Sequence, residues 1–293
     1  MILLTGGTGT IGRALLRRLV ASRTPVRCLV RDPKGLGPDR VRVQIALGDL
    51  ADPSSFRNAL RGVDTVVHLA ASMRDQPRAS IEELNAMATL RLVRAAERSG
   101  AKRFVFTSAI GASLQSPTRF FRSKALARGA VESADLATTV FAPSIVYTPG
   151  DPWLTLLERF ALLPVVPIAG GGKARFQPIW AEDVADCIVA ALERPGTEPR
   201  TAFDLAGPES LSYDELVRAA LRPIGRERPL VHVPMAVIKA SLRGLGRVTG
   251  PTVFATAEEA ELMEEPMVTP RGTADAEALG VTPLRMSAVL AAA

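Results

Sequence analysis

The opening dozen residues constrain this chain more than any other stretch. Met1-Ile-Leu-Leu-Thr5 is an apolar run that leads into Gly6-Gly-Thr-Gly-Thr-Ile-Gly12, and an amphipathic segment from Ile11 to Ser22 follows without a break. Strand, glycine turn and helix in this order are what a dinucleotide pyrophosphate requires. Gly6 permits the tight turn, Gly9 lets backbone approach the phosphates, and Gly12 lets helix and strand pack closely. Thr8, Thr10 and Ile11 complete the expected contact set. The anion would sit at the helix N-terminus, where unpaired N–H groups and a dipole of roughly +0.5 charge favour it. A glycine pattern by itself can be only a turn; the flanking strand and helix favour the cofactor reading.

The end of the second strand bears on which dinucleotide binds. Thr24-Pro25 turns the chain into Val26-Arg-Cys-Leu-Val30, and Arg31 and Asp32 follow. An acid here would pair with the ribose 2′-hydroxyl of NAD, whereas an arginine accommodates the 2′-phosphate of NADP. A guanidinium fork matches a phosphate and Asp32 can begin the next turn instead, so the sequence favours NADPH over NAD. Val41 to Ala46 reads as a third strand, after which Gly48-Asp49-Leu50 places Asp49 to receive the adenine amine, with Leu50 beside it. A cap is the competing role for Asp49, but Asp52-Pro53 is the better cap and leaves Asp49 for the ligand. Asp64 to Leu69 is the fourth strand, and Ala70, Ala71 and Ser72 are small enough for cofactor to lie across the strand ends. His68, inside this apolar run, reads as a satisfied core histidine.

Composition narrows the function classes. A chain of 293 residues with 47% hydrophobic content can bury one substantial core, or a core domain and a smaller partner. The first strand begins at Met1, leaving no room for a secretory leader, and Glu158 and Arg159 interrupt the most lipophilic region. A soluble, cytoplasmic protein is expected. The net charge of +6 raises nucleic acid as a partner, but the arginines are spread over helix faces without an aromatic-interleaved basic stripe, so none is expected. Cys28 and Cys187 suit a reducing compartment, and with only His68 and His232 besides there is no metal-ligand spacing, so no metal is expected either.

Ser80-Ile-Glu-Glu83 is a capping-box pattern that opens a long helix to about Ser99, with Asn85 in its first turns. Lys102 to Ser108 is the fifth strand, and the alternation of β and α segments predicts a doubly wound parallel sheet. Phe120-Phe-Arg-Ser-Lys124 lies on the next helix; Thr138 to Phe141 is the sixth strand, with Pro143 and Ser144 at its end.

Thr5-Gly-Gly-Thr-Gly-Thr-Ile-Gly12, Gly48-Asp-Leu50, His68-Leu-Ala-Ala71, Asn85, Phe106-Thr-Ser108, Lys124 and Ala142-Pro-Ser-Ile-Val-Tyr147 together resemble extended or atypical short-chain dehydrogenase/reductases. The resemblance spans about the first 205 residues, through Gln177-Pro-Ile-Trp-Ala-Glu-Asp-Val-Ala185. It is strongest to the branch with the dehydrogenase-like accessory subunit of respiratory complex I and the NmrA-like proteins. It implies that a Tyr four residues before the Lys is the general acid, that a Ser polarises the carbonyl, and that the Lys holds ribose and lowers the Tyr pKa. Phe120 stands at the Tyr position and has no ionisable proton. The tetrad survives as Asn85, Lys124 and Ser108, with Ala109 as the alternative alignment at the Ser position. Lysine occurs at only five positions in this arginine-rich chain, which argues that Lys124 is a point-charge donor to ribose hydroxyls. Pro143 and Ser144 would face the nicotinamide, after Ala142 where many relatives carry arginine.

The expected architecture is therefore α/β: a Rossmann-type NAD(P)-binding domain over residues 1–150, with 176–205 returning to its sheet, and a smaller substrate-binding part over 151–293. Trp153, Leu154, Leu156, Leu157, Phe160, Leu162 and Leu163 make a strongly apolar segment, read either as packing of that part or as a lid for an apolar ligand. Two functions remain open. One, implied by resemblance to tyrosine-lacking atypical reductases, is an NADPH-dependent oxidoreductase of a small apolar substrate that manages without the Tyr, with Lys124 or water as proton donor; the other is a non-catalytic cofactor-bound redox sensor, assembly factor or subunit peripheral to a membrane complex.

Overall fold

Short apolar strands separated by amphipathic helices bury both strand faces only if helices cover each side of the sheet. The structure, a computed structural model, describes residues 1–77, 79–194, 200–225, 227–249 and 255–292. The first half runs β1 (Ile2–Thr5), α1 (Thr10–Ala21), β2 (Val26–Val30), β3 (Gln44–Leu47), α2 (Pro53–Phe56), β4 (Thr65–His68), α3 (Ala88–Ser99), β5 (Arg103–Thr107), α4 (Arg119–Glu132) and β6 (Ala137–Pro143). Then follow β7 (Val146–Tyr147), α5 (Pro152–Phe160), β8 (Val166–Ala169), β9 (Arg175–Phe176), β10 (Ile179–Trp180), α6 (Ala181–Glu193) and β11 (Arg200–Leu205). The remainder is β12 (Leu211–Ser212), α7 (Tyr213–Leu221), β13 (Leu230–Val233), α8 (Met235–Thr249), α9 (Ala257–Leu262), α10 (Ala274–Ala278) and α11 (Met286–Ala291).

The central sheet has seven strands in the order β11-β6-β5-β4-β1-β2-β3, all parallel. It is the doubly wound Rossmann-like arrangement that the β–α alternation predicts. The strand order reverses between β1 and β4, which opens a crevice beyond their C-terminal ends. One face is covered by α1 and α6, with Leu15, Leu16, Leu19, Val184 and Ile188 buried beneath. Cys28 and Cys187 are fully buried in the same cluster, and burial pushes both thiols up to about 12. Arg18 ties α1 to α6 through Glu182 and Asp186, the latter at 2.8 Å. On the opposite face Phe56, Leu60, Leu92, Val93 and Val131 pack over Phe104 and Phe106. A third cluster joins α5, α7 and α11 around Tyr147, Phe176 and Leu216.

Three local readings differ from the structure. The third strand begins at Gln44, because Pro33–Arg42 is a 3₁₀ segment, capped by Asp32 and kinked at Gly37; Val41 is left 81% exposed. Arg175 to Trp180 is two short strands: β9 pairs antiparallel with β12, and β10 pairs parallel with β7. Pro178 interrupts the run, and its carbonyl lies so close to Gly207 that a Cβ there would come within 1.8 Å. Of the stretch 176–205, only β11 joins the central sheet by strand pairing. The capping box at Ser80 is half made: Ser80 Oγ accepts from Glu83 N at 3.2 Å, but the Glu83 carboxylate pairs with Arg91. That helix opens as a π-turn over Glu83–Met87 before α3.

Ile188 is fully buried between α6 and the sheet. Ile188→Ala is expected to destabilise the chain by about 2–5 kcal/mol, measured as the shift in free energy of urea unfolding.

Candidate functional site

The glycines at the crevice are fixed by space as well as by turn geometry. Gly6 has φ +74°, and a Cβ on it would lie 2.5 Å from Ala70 N; a Cβ on Gly12 would lie 2.0 Å from Gly6 O. Gly9 donates to Gly6 O at 3.0 Å and is exposed, so backbone alone faces the crevice there. No side chain caps α1 and its first turn carries no acid, which leaves the positive end of the helix dipole to an external anion. Thr8 packs its methyl against Gly35 and its carbonyl accepts from Arg13 Nε at 2.9 Å. Thr10 is half-buried, and Ile11 packs onto the α1 core.

At the ends of β2 and β3 lies a cavity of about 260 Å³ lined by Arg31, Asp49, Ala51, Gln76, Pro77, Ala79 and Leu84. Arg31 is exposed on its rim, while Asp32 Oδ1 accepts from Lys34 N at 2.9 Å and so belongs to the turn. Asp52 caps α2 through Ser54 N at 3.0 Å. Asp49 also accepts from a backbone amide, Ala51 N, at 3.0 Å, while its own N–H donates to Ser55 Oγ at 2.8 Å. Leu50 is half-buried against the sheet's second face.

At the other end of the crevice the polar groups are deeply buried. Lys124 Nζ donates to the Thr107 carbonyl and lies 4.7 Å from the Phe106 ring centroid; burial draws its pKa down to about 7. Asn85, on the π-turn, clamps Ser72 from both sides at 2.8 Å and donates to Ser123 Oγ at 3.0 Å. Ser108 is 3% exposed, and its hydroxyl and that of Thr107 have no protein partner. His68 is fully buried with its ring nitrogens against Thr5 Oγ1 at 2.6 Å and Thr89 Oγ1 at 2.9 Å. Burial, with Lys124 nearby, lowers its pKa to about 3, so it stays a neutral core group, as its sequence surroundings imply. Ala70 lies against Gly6 beyond β4 and is partly open, and Ala71 next to it is exposed.

The profile of the NAD(P)H-binding family matches residues 6–195, which include the glycine loop, the clamp at Asn85 and Lys124. The chain belongs to the NAD(P)H-binding family. It is 32% identical over 247 residues to an NAD(P)H azoreductase of Xenophilus azovorans, covering 84% of this chain and 82% of that protein. It is 29% identical to the mitochondrial NADH dehydrogenase [ubiquinone] 1 alpha subcomplex subunit 9 of Arabidopsis thaliana, covering 80% of this chain but only 60% of the subunit's length. A nucleoside-diphosphate-sugar epimerase structure from Staphylococcus aureus superposes with TM-score 0.80 over 99% of both chains at 20% identity, a likeness of fold alone. The resemblance to short-chain dehydrogenase/reductases read from the motifs thus holds.

Within this NAD(P)H-binding chain, Phe120 sits one helical turn before Lys124, half-buried and packed beside Phe121 at 5.7 Å between ring centroids. Tyr147 and Tyr213 supply no substitute acid: both are buried in the third cluster, and burial raises both phenols. Ser144 is engaged elsewhere, since its Oγ donates to Met267 O at 2.6 Å and accepts from Gln177 N at 3.0 Å. The Pro143 carbonyl likewise accepts from Ile110 N at 3.0 Å. Sequence reasoning missed Thr107, whose carbonyl holds Lys124, and Ser123, which links Phe120 O to Asn85. Their adjacency to Ser108 and Lys124 was the available signal.

The lowered Lys124 pKa sets a pH dependence. Between about 7 and the ordinary value of 10.5 the unfolded chain binds the extra proton, so this group makes stability rise with pH across that window. In cofactor-free protein the slope difference between wild type and Lys124→Met should reach at most about 1.4 kcal/mol per pH unit, measured by urea unfolding from neutral to alkaline pH. Parallel curves for the two proteins would count against a buried, neutral Lys124.

Proposed function

We propose that this protein is an NADPH-dependent oxidoreductase of a small apolar substrate, working without the tyrosine of its catalytic relatives. The observation that carries this reading is Lys124, a buried amine that titrates near neutrality and is held at Thr107, next to the unpartnered Ser108 hydroxyl. A buried hydroxyl and a near-neutral amine are the groups a carbonyl-like acceptor needs when no tyrosine is present.

The residues present fit a dinucleotide: the glycine cradle excludes side chains and the α1 N-terminus lacks its own cap. In this reading Gly6, Thr8, Gly9, Thr10, Ile11 and Gly12 hold the phosphates, Asp49 and Leu50 border the adenine, and Arg31 takes the 2′-phosphate. Ala70, Ala71, Pro143 and Ser144 border the ribose and nicotinamide, Ser144 through its backbone because its hydroxyl is engaged. NADPH, when bound, supplies a hydride. Ser108 Oγ would donate a hydrogen bond to the acceptor atom, protonated Lys124 would donate to ribose hydroxyls and it or water would supply the single proton that accompanies the hydride, and Asn85 keeps the π-turn and the Ser72 strand end in register. Residues 1–150, completed by β11, form the cofactor domain and 151–293 the substrate part. The apolar segment divides its labour: Leu154 and Leu157 are buried packing, whereas Leu162 and Leu163 are 65% and 48% exposed and free to meet an apolar ligand.

Phe120 favours a second reading, a non-catalytic NAD(P)H-bound sensor, assembly factor or accessory subunit peripheral to a membrane complex. Similarity to the NADH dehydrogenase subunit supports it, as similarity to the azoreductase supports the first. Among the described residues no helix is long and apolar enough to cross a membrane.

For the cofactor, NADPH should bind more tightly than NADH, and Arg31→Ala should lose about 1.5–3 kcal/mol of NADPH affinity with little change for NADH, by fluorescence titration. Equal affinities in the wild type would remove the role given to Arg31. For activity, NADPH oxidation should be followed with quinone, aldehyde and azo acceptors. The oxidoreductase reading expects turnover that Lys124→Met abolishes while NADPH still binds, and that Phe120→Tyr raises; binding without turnover across the panel would favour the sensor.

A further inference from the structure

Residues 72–77 and 79–82 form a strap whose Gln76, Pro77 and Ala79 line the dinucleotide cavity together with Arg31 and Asp49. Gln76 and Ala79 exchange backbone hydrogen bonds at 2.9 and 3.2 Å, and both line the cavity with Pro77 between them. The strap is fixed at its ends by the Asn85 clamp on Ser72 and by buried Ile81. Between those points Asp75 Oδ1 accepts from Ile81 N at 2.8 Å, and ion pairs tie the strap to other elements. Arg119, at the start of α4, donates to Asp75 at 2.9 and 3.0 Å and to Glu82 at 2.8 and 2.7 Å, with Glu258 of α9 at 3.8 Å. Arg74 donates both arms of its fork to Glu259 at 2.8 and 2.7 Å. Helix α9 is seated through Leu262 in the same apolar cluster as Leu154 and Phe121.

We propose that Arg119 and Arg74, gripping Asp75, Glu82 and Glu259, are a latch by which a helix of the C-terminal part holds the strap over bound dinucleotide and sets its rate of release. The inference rests on the dinucleotide reading of the cavity. Opening the strap requires Arg74 to leave Glu259, so the part that meets substrate also governs how long cofactor stays. A bidentate Arg–carboxylate pair has the geometry for this role. The partners are partly exposed, so added salt weakens the latch.

The test is release of NADPH, and of NADH in parallel, from the full-length chain by stopped-flow chase with excess oxidised dinucleotide. Arg119→Gln and the double variant Glu258→Gln/Glu259→Gln should each speed release about fivefold or more. Glu261→Gln, which breaks only the α8–α9 pair with Lys239 at 2.7 Å, should match wild type and report whether loosening α9 in general is enough. Release from unaltered protein should also quicken about threefold between low and high KCl, a measurement that depends on no variant. Release within about twofold of wild type for both latch variants, at matched melting temperature, and flat against salt would overturn the latch. A wild-type chain that binds neither dinucleotide would instead sink the cofactor reading itself.

Discussion

Three backbone segments meet at the crevice with no room for one methyl group between them. Gly12 rests on the carbonyl of Gly6, and Gly6 rests on the amide of Ala70. Any side chain at either place would push α1 away from β1 or β1 away from the end of β4. That contact fixes where the α1 N-terminus points. Because β1 sits between β2 and β4, it points into the crevice where the strand order reverses. The cavity lined by Arg31 and Asp49 and the buried amine at Lys124 are both built on strands or helices of this one sheet.

Much of this was legible in the chain. Glycine spacing, apolar strand runs and caps such as Asp52 are local signals, and the local structure follows them. Phe120 was legible for the same reason: a four-residue helical spacing to Lys124 survives in α4. What escaped depends on partners distant in sequence. Ser144 looks available until Met267, 123 residues on, takes its hydroxyl. Arg175 to Trp180 looks like one strand until β7 and β12 claim its two halves in opposite directions. Glu83 matches a capping box, yet a charged partner on α3 outcompetes the amide it would have accepted from. Neither periodicity nor propensity encodes such competition.

The buried end of the site is an electrostatic compromise. Lys124 and His68 share one apolar region, and two positive charges there would repel each other without water to screen them. Thr5 and Thr89 resolve it by satisfying a neutral imidazole, leaving any single charge to Lys124. The amine donates to the Thr107 carbonyl and lies over the Phe106 ring. An oxygen-rich ligand beside it would stabilise its charged form.

The two buried cysteines acquire a meaning from this chemistry. Cys28 and Cys187 lie under α1 and α6, fully buried, with thiols held near 12 and hence un-ionised. The thiolate is the form that reacts with oxidants and disulfides. In the proposed reading, a protein holding a reduced dinucleotide in one crevice therefore offers no reactive thiol to intercept its reducing equivalents. Its only two thiols are insulated by the same helix pair whose uncapped α1 N-terminus opens on the crevice, so loss of that insulation would signal that the fold itself had opened.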